Sequence, residues 1–203
     1  MTIVVLVRHA STATTGKRLY GQSPGHDLDA RGRRQAEATA QRLTGLDLAA
    51  VYSSPLERAQ QTAQPIARAA GLRVRTRKGL IEPDVGEWTN RSLGQLRRRK
   101  DWRLVQRAPS RFRFPGGESF RHLQQRAADE VEGLAREHGD ATIVCVSHAE
   151  TIKVVVAHYI GLHLDHLQRL EVSPASLTTL SLDPSGATRL LALNDTGHLR
   201  GVR

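Results

Sequence analysis

Two apolar runs in this chain each end on a histidine, and they constrain its fold more than any other feature. Residues 2–7 form a β-branched and aliphatic run that leads directly into Arg8 and His9, and residues 141–147 lead into His148. Each run is too short for a helix and too uniformly apolar for a strand with one wet face. Both are therefore predicted to be strands of a sheet that is covered on both sides.

The segments between and after these strands alternate helical and strand patterns. The sequence predicts helices within residues 28–43, 54–71, 118–139 and about 150–160, and further strands within 46–54 and near 177–182 and 188–193. Such alternation is typical of a three-layer α/β/α sandwich with a mainly parallel central sheet. We expect a single domain over residues 1–203. Residues 83–117, rich in Arg, Gly, Pro and Trp, are expected to form a small inserted cap with one helical candidate at 92–107.

Local signals predict where two of the helices begin. Asp29 is placed to cap the first helix. For the second helix, Ser54 is predicted as the N-cap, Pro55 as the first helical residue and Glu57 as the partner that closes a capping box. Pro65 is expected to kink or interrupt that helix.

Composition limits the class of protein. Cys145 is the only cysteine, so an intrachain disulfide and a thiolate metal cluster are both excluded. The N-terminus lacks the basic region of a signal peptide, and no apolar stretch is long enough to cross a bilayer. We therefore expect a soluble, cytoplasmic protein with no membrane partner. The net charge is +10 and 26 of the 30 cationic residues are arginine, which suits phosphate or carboxylate ligands.

Four cationic or cationisable side chains are expected at one edge of the sheet. Ligands of open α/β sheets collect outside the carboxyl ends of the parallel strands. Arg8, His9 and His148 leave two strands at that edge, and Arg58 lies in the helix that follows another strand. Positive charges are brought together in a crevice only where they bind an anion. Two arginines that each donate bidentate hydrogen bonds suit a phosphoryl group well. The arrangement predicts a phosphate site.

Six short motifs are spread over residues 3–150. They are VRHA (7–10), LDARGRRQA (28–36), YSSPLERAQQTA (52–63), IEPDVGEW (81–88), FPGGES (114–119) and VSHAE (146–150). Taken together, they resemble the motifs of the histidine phosphatase superfamily, in its phosphoglycerate mutase-like branch. The resemblance implies an α/β/α sandwich, a phosphohistidine intermediate, no metal and no other cofactor.

Carried over motif by motif, the resemblance also implies roles for five side chains. They are the nucleophile His9, the phosphate-holding Arg8, Arg58 and protonated His148, and the proton donor Glu82. A proton donor needs a protonated carboxyl, which partial burial and a nearby phosphate dianion favour. Asp84 and Glu87 are alternative carboxylates for this role.

Two positions depart from the family pattern. Ala10 stands where the family usually has glycine, and Thr15 stands where it often has asparagine. Neither change removes a charge, so the departures bear on the substrate more than on the chemistry. The expected substrate is a small acidic phosphomonoester. Further candidates for contacting it are Thr15, Tyr20, Gln22, Arg91 and Arg97.

The expected function is metal-independent phosphomonoester hydrolysis, and several alternatives stay open. A phosphomutase would return the phosphoryl group to the substrate instead of passing it to water. The basic and aromatic residues 96–114 could instead contact nucleic acid, although this is the less favoured reading. A phosphate-sensing module without catalysis and a homodimer are also open. His163 and His166 are read as surface residues rather than metal ligands, because further ligands at suitable spacing are missing.

Overall fold

The computed structural model describes residues 1–183 and 185–202. In chain order the strands are β1 (Thr2–Arg8), β2 (Arg18–Leu19), β3 (Leu48–Ser53), β4 (Val74–Thr76), β5 (Arg91–Ser92), β6 (Thr142–Ser147), β7 (Leu177–Leu182) and β8 (Thr188–Asp195). The α-helices are α1 (Ala30–Leu43), α2 (Glu57–Ala69), α3 (Leu93–Leu96), α4 (Trp102–Arg107), α5 (Phe120–His138) and α6 (Ala149–Tyr159). Short 3-10 turns lie at Lys78–Leu80, Gly86–Trp88, Pro109–Arg111, Leu164–Arg169 and Gly197–Leu199.

The central sheet has six strands in the order β4-β3-β6-β1-β7-β8. The first four of these strands are parallel, and β7 and β8 pair antiparallel at one side. This arrangement confirms the predicted mainly parallel sheet. The strand β4 and the small β2–β5 sheet have no counterpart among the predicted elements, because strands of two or three residues carry too little pattern to be recognised.

Alternate residues of β1 belong to two different cores, which is why the whole strand is apolar. Val4 and Leu6 pack in a cluster with residues of α5 and α6. Val5 and Val7 pack in a second cluster with residues of α1 and α2. Side chains of a strand point alternately to the two faces of its sheet. Helices therefore cover both faces, and the predicted three-layer sandwich is confirmed.

The predicted start of α2 is wrong. The helix begins at Glu57, two residues later than expected, and its N-cap Leu56 makes no side-chain capping bond. Ser54 lies before the helix and is not its N-cap: its hydroxyl accepts from the Leu56 N–H at 3.4 Å and lies 2.8 Å from His148 Nε2. Pro65 lies inside the helix without interrupting it.

Residues 83–117 cover the carboxyl end of the sheet with short elements. The predicted helix at 92–107 is two helices, α3 and α4, separated by a turn. The ring of Trp88 packs 5.3 Å from that of Phe112, and Phe114 packs 5.7 Å from Phe120 at the start of α5. The segment thus shares the core formed by α5 and α6. The division into one domain with an inserted cap stays a prediction, and its residues 184 and 203 lie outside the described part.

Among residues 1–183 and 185–202, no helix combines the length and the apolar character that crossing a bilayer requires.

The start of α1 holds the loop that follows β1. Asp29 caps the helix as predicted, accepting from the Gly32 N–H at 2.7 Å, and its carboxylate also accepts from the Ser11 hydroxyl at 2.8 Å. The Gln35 side chain accepts from the Ser11 N–H at 3.0 Å. A Cβ added at Gly32 would lie 2.0 Å from the Ser11 carbonyl oxygen. The helix and the loop therefore touch backbone to backbone.

We predict opposite effects for alanine at two helical glycines. Gly32→Ala should lower the free energy of unfolding by about 1–3 kcal/mol, because the Ser11 backbone must move. Gly133→Ala is the matched control: nothing lies within 4 Å of its added Cβ, and it should raise stability by about 0.5–1 kcal/mol. Urea unfolding of both variants measures the difference. Equal stability of the two variants would contradict the close approach of α1 to the loop.

Candidate active site

Four predicted catalytic residues, Arg8, His9, Arg58 and Glu82, line one cavity at the carboxyl ends of the parallel strands, and the fully buried His148 lies directly behind it. Arg8 is the last residue of β1 and pairs in register with Ser147, the last residue of β6. His9 and His148 therefore leave the sheet side by side, with ring centroids 5.2 Å apart. Arg58 enters from the first turn of α2. The cavity has a volume of about 620 Å³.

The ring of His9 is fixed so that one nitrogen is available to react. Its Nδ1 lies 2.8 Å from the carbonyl oxygen of Ala10, so Nδ1–H donates there and Nε2 keeps its lone pair. Burial, together with the charges of Arg8 and Arg58, holds the pKa of His9 well below its ordinary value. The imidazole is therefore neutral at physiological pH, as a nucleophile must be.

Two arginines are anchored to the backbone and still keep free donors. Arg8 donates from Nη1 to the carbonyl of Val172 at 2.6 Å, and Arg58 donates from Nη2 to that of Gly21 at 2.9 Å. The buried Arg8 Nε and Arg58 Nη1 have no hydrogen-bond partner among the described residues. Buried donors are rarely left unpaired in native proteins. These two indicate that a ligand with acceptor oxygens completes the site.

His148 is fully buried and also offers a donor. Its Nε2 lies 2.8 Å from the Ser54 hydroxyl, and its Nδ1 has no hydrogen-bond partner in the described part of the chain. Burial and the charges of Arg58 and Arg8 hold the pKa of His148 well below its ordinary value. This environment favours the neutral imidazole, and the protonated His148 expected around a phosphoryl group stays a prediction. A Ser54 hydroxyl that donates to Nε2 leaves Nδ1–H as a donor in the neutral ring as well.

Glu82 is the carboxylate that reaches this cluster. Its Oε2 lies 3.4 Å from His148 Nδ1 and 4.0 Å from Arg58 Nη2. Burial raises the pKa of Glu82 to about 7, against the opposing effect of Arg58 and with a further increase from Glu150. The alternatives Asp84 and Glu87 are exposed and do not line the cavity.

A hydrogen-bond network that sequence reasoning missed holds the backbone around Glu82. The Arg126 guanidinium forms a bidentate pair with Glu118 at 2.8 and 2.9 Å. It also donates to the carbonyls of Gly79, Ile81 and Glu82 at 2.9–3.2 Å. Glu118 belongs to the FPGGES motif, which could have drawn attention to it. Arg126 lies in an ordinary helical pattern of α5 and carries no sequence signal.

Three of the five further substrate-binding candidates lie in the loop after β1 and have different surroundings. Thr15 lines the cavity, but its hydroxyl accepts from the Thr12 N–H at 2.9 Å and so serves the loop. Tyr20 lines the cavity with a buried hydroxyl that has no partner among the described residues. Gln22 does not line the cavity, and its amide donates to the Glu82 carbonyl at 2.9 Å.

The outer part of the cavity has one mainly apolar wall, which holds Arg97 and Gln106, and one polar wall. Arg97 lines the wall formed by residues 83–117, together with Gln106 and the aromatic Trp102 and Phe114. The opposite wall contains polar residues that the sequence analysis did not predict as site residues: Glu150, Lys153, Gln168 and Glu171. Arg91 is not among the lining residues. A second cavity of about 620 Å³, on the far side of the loop after His9, is lined by neither histidine.

Ligand atoms of His9, Glu82 and His148 lie within 4.8 Å of one another, a spacing that could hold a metal ion. The charges of Arg8 and Arg58 act on all three groups. Two guanidinium groups at a site favour an anion over a cation. The residues present therefore suit a phosphate better than a metal.

Comparisons with known proteins agree with this geometry. The sequence profile of the histidine phosphatase superfamily (branch 1) matches residues 4–196. The chain belongs to the histidine phosphatase superfamily. It is an enzyme, a phosphoric monoester hydrolase, and this confirms both the family and the enzyme class predicted from the motifs.

Three relatives show the range of activities in this group. Phosphoserine phosphatase 1 of Hydrogenobacter thermophilus is 30% identical over 98% of this chain and 95% of its own length. A probable phosphoglycerate mutase of Yersinia pestis is also 30% identical, over 97% of this chain and 94% of its own. A phosphoserine phosphatase variant from Entamoeba histolytica, solved with phosphoserine, superposes with a TM-score of 0.88 at 27% identity. That match covers 98% of this chain and all of the other.

Proposed function

We propose that this phosphatase hydrolyses a small acidic phosphomonoester through a phosphohistidine intermediate on His9, with Glu82 as general acid and base. One observation carries the proposal. The His9 ring with its free Nε2, the arginines Arg8 and Arg58 with unpaired donors, and a carboxyl with a pKa of about 7 line one cavity. The unpaired Nδ1 of the buried His148 lies 3.4 Å from that carboxyl. A tetrahedral phosphoryl group satisfies all of these groups together.

In the first step, Nε2 of His9 attacks phosphorus in line with the ester oxygen. The N–P bond forms as the P–O bond to the leaving group breaks. The transition state is loose, so catalysis depends on positioning and on stabilising charge at the equatorial oxygens. The free donors of Arg8, Arg58 and His148 supply that stabilisation. The Nδ1–H bond to the Ala10 carbonyl stabilises the positive charge that develops on the ring.

Glu82 supplies the proton that the leaving alkoxide needs. An alkoxide leaves poorly at neutral pH unless a proton arrives as the bond breaks. A carboxyl with a pKa of about 7 is protonated in a large fraction of molecules at that pH. In the second step the ionised Glu82 accepts a proton from water, the water oxygen attacks phosphorus, and the N–P bond breaks. Phosphate leaves, and His9 and Glu82 return to their starting states.

The cavity supports a small substrate rather than a protein. Its volume of about 620 Å³ and its charged outer walls suit a short acidic metabolite. The relatives named above act on phosphoserine or are named as phosphoglycerate mutases, and both substrate types are small and acidic. Measuring free phosphate against isomerised product separates hydrolysis from mutase activity.

The nucleic-acid alternative gains no support from the aromatic residues of the basic segment 96–114. Phe112 and Phe114 are buried in the core, and Trp102 is half-buried against Trp88. Bases stack on exposed rings. The segment 96–114 therefore offers charged side chains to a nucleic acid but no fully exposed aromatic ring on which a base could stack. Homodimer formation and cytoplasmic location stay predictions.

A covalent trap tests the intermediate. Brief mixing with a ³²P-labelled monoester and quenching in alkali should leave about one base-stable, acid-labile phosphoryl group per active protein, as expected for covalent catalysis at histidine. The His9→Ala variant should retain no label and should lose at least about 10³-fold in turnover, because the nucleophile is gone.

The same trap should work after dialysis against EDTA, since no step uses a metal. His163→Ala, at the exposed residue that precedes the 3-10 turn Leu164–Arg169, is the matched control and should label like the native protein. Rapid turnover by His9→Ala, or label that survives acid, would rule out the phosphohistidine route.

A comparison of leaving groups tests Glu82. The Glu82→Gln variant should lose about 10²–10⁴-fold in kcat/KM for an alkyl phosphate, because its leaving group needs a proton. It should lose much less for p-nitrophenyl phosphate, whose phenolate leaves without one. In the native protein, kcat/KM for the alkyl ester should fall as pH rises through about 7, where the donor proton is lost.

That decline should be absent in Glu82→Gln. The matched control is Glu87→Gln, on the same segment but outside the cavity, which should keep the native profile. An equal loss for both leaving groups in Glu82→Gln would assign Glu82 a role other than proton transfer.

A further inference from the structure

One wall of the active-site cavity holds an ion pair that the proposed chemistry does not use. Lys153 is nine-tenths buried, and its ammonium donates to Glu150 Oε1 at 3.3 Å and to Gln168 Oε1 at 3.2 Å. All three residues line the cavity, together with Glu171. The Lys153 side chain is mostly buried and that of Glu150 is partly buried, and withdrawing charged groups from water has a desolvation penalty. The pair therefore calls for a functional explanation.

Each partner of this ion pair has a polar group that lacks a hydrogen-bond partner among the described residues. A lysine ammonium has three N–H donors, and Glu150 and Gln168 engage two of those of Lys153 among the described residues. Glu150 Oε2 is shielded from solvent and has no hydrogen-bond partner there. A buried acceptor without a partner is rare in native proteins. One free cationic donor and one free anionic acceptor thus lie side by side on the cavity wall.

This wall lies close enough to the phosphate site to contact the rest of a small substrate. Glu150 lies in the first turn of α6, two residues after His148, and its negative charge acts on both Arg8 and Glu82. Glu171 precedes Val172, whose carbonyl anchors Arg8, and also acts on the Arg8 charge. A leaving group only a few bonds long can therefore reach from the phosphoryl group to this wall.

We propose that Glu150 and Lys153 form a leaving-group subsite that selects phosphomonoesters of α-amino acids over those of the corresponding hydroxy acids. The inference rests on the proposed function and specifies its substrate class. Lys153 binds the carboxylate with its third N–H donor. Glu150 Oε2 accepts from the α-ammonium group, and Glu171 adds negative charge at the rim.

The choice between an ammonium and a hydroxyl follows from charge. Both groups can donate to Glu150 Oε2, so a hydroxy acid also fits the subsite. An ammonium donor adds a charge-assisted bond to the partly buried Glu150 carboxylate, and such bonds are stronger than those of a neutral hydroxyl. The ammonium also offsets the negative charges of Glu150 and Glu171, which a hydroxyl leaves in place.

Two substrates that differ in one group test the subsite. O-phospho-L-serine and 3-phospho-L-glycerate share their configuration and differ only in carrying an ammonium or a hydroxyl. The quantity measured is the ratio of their kcat/KM values for phosphate release, with p-nitrophenyl phosphate as a substrate that has neither group. The native protein should prefer phosphoserine by about tenfold, the value of one charge-assisted over one neutral hydrogen bond.

Glu150→Gln should reduce this preference about tenfold, towards a ratio of one, because it removes the charge and keeps the shape. Lys153→Met should lower kcat/KM for both acids relative to p-nitrophenyl phosphate, since both acids carry the carboxylate. Glu132→Gln, in an exposed pair with Arg136 on α5, is the control and should keep the native ratio. A ratio of two rates from one preparation is unaffected by partial misfolding.

The outcomes separate this inference from the proposed function. If the native protein releases phosphate from p-nitrophenyl phosphate through His9 but does not prefer phosphoserine, the subsite is wrong and the chemistry stands. An unchanged ratio in Glu150→Gln overturns the subsite in the same way. If the native protein releases no phosphate from any of the three esters, the proposed function fails and the subsite fails with it.

Discussion

The register of the parallel pair β1–β6 is the constraint on which the rest of the site depends. Arg8 lies opposite Ser147, and the His9 N–H donates to the Ser147 carbonyl at 2.8 Å. The two strands therefore end at the same level, and the histidine that follows each one enters the same space. A shift of one residue would turn every side chain of β1 to the opposite face of the sheet. The buried apolar residues on both faces prevent that shift.

This register concentrates positive charge where solvent is scarce. In the ligand-free protein Glu82 is the carboxylate nearest to Arg58 and His148, and its Oε2 lies 4.0 and 3.4 Å from them. A bound phosphate dianion takes over that role with more charge and more acceptor oxygens. The added negative charge also favours the protonated form of Glu82. Substrate binding and protonation of Glu82 are therefore coupled, because the charge of the bound phosphate acts on both. Burial of the site strengthens this coupling.

The elements whose own residues show a clear apolar pattern could be predicted from the sequence. The strands β1 and β6 and the helix α5 fall in this class, as do the positions of His9 and His148 at the strand ends. The predicted start of α2 rested on a local capping pattern, and such a pattern does not show that the Ser54 hydroxyl contacts His148, which is 94 residues away. The neutral state of His148 depends on the combined burial and charge of groups from several elements. Arg126 was missed because its role is visible only where its guanidinium meets the Glu82 backbone.

A crystal structure with vanadate, which adopts the five-coordinate geometry of phosphoryl transfer, tests the central claim most directly. The account predicts vanadium bonded to Nε2 of His9, with equatorial oxygens accepting from Arg8, Arg58 and His148. It also predicts that the Glu82 carboxyl contacts the apical oxygen opposite His9. Vanadate bound away from His9, or held there while Arg8 and Arg58 point elsewhere, would contradict the account.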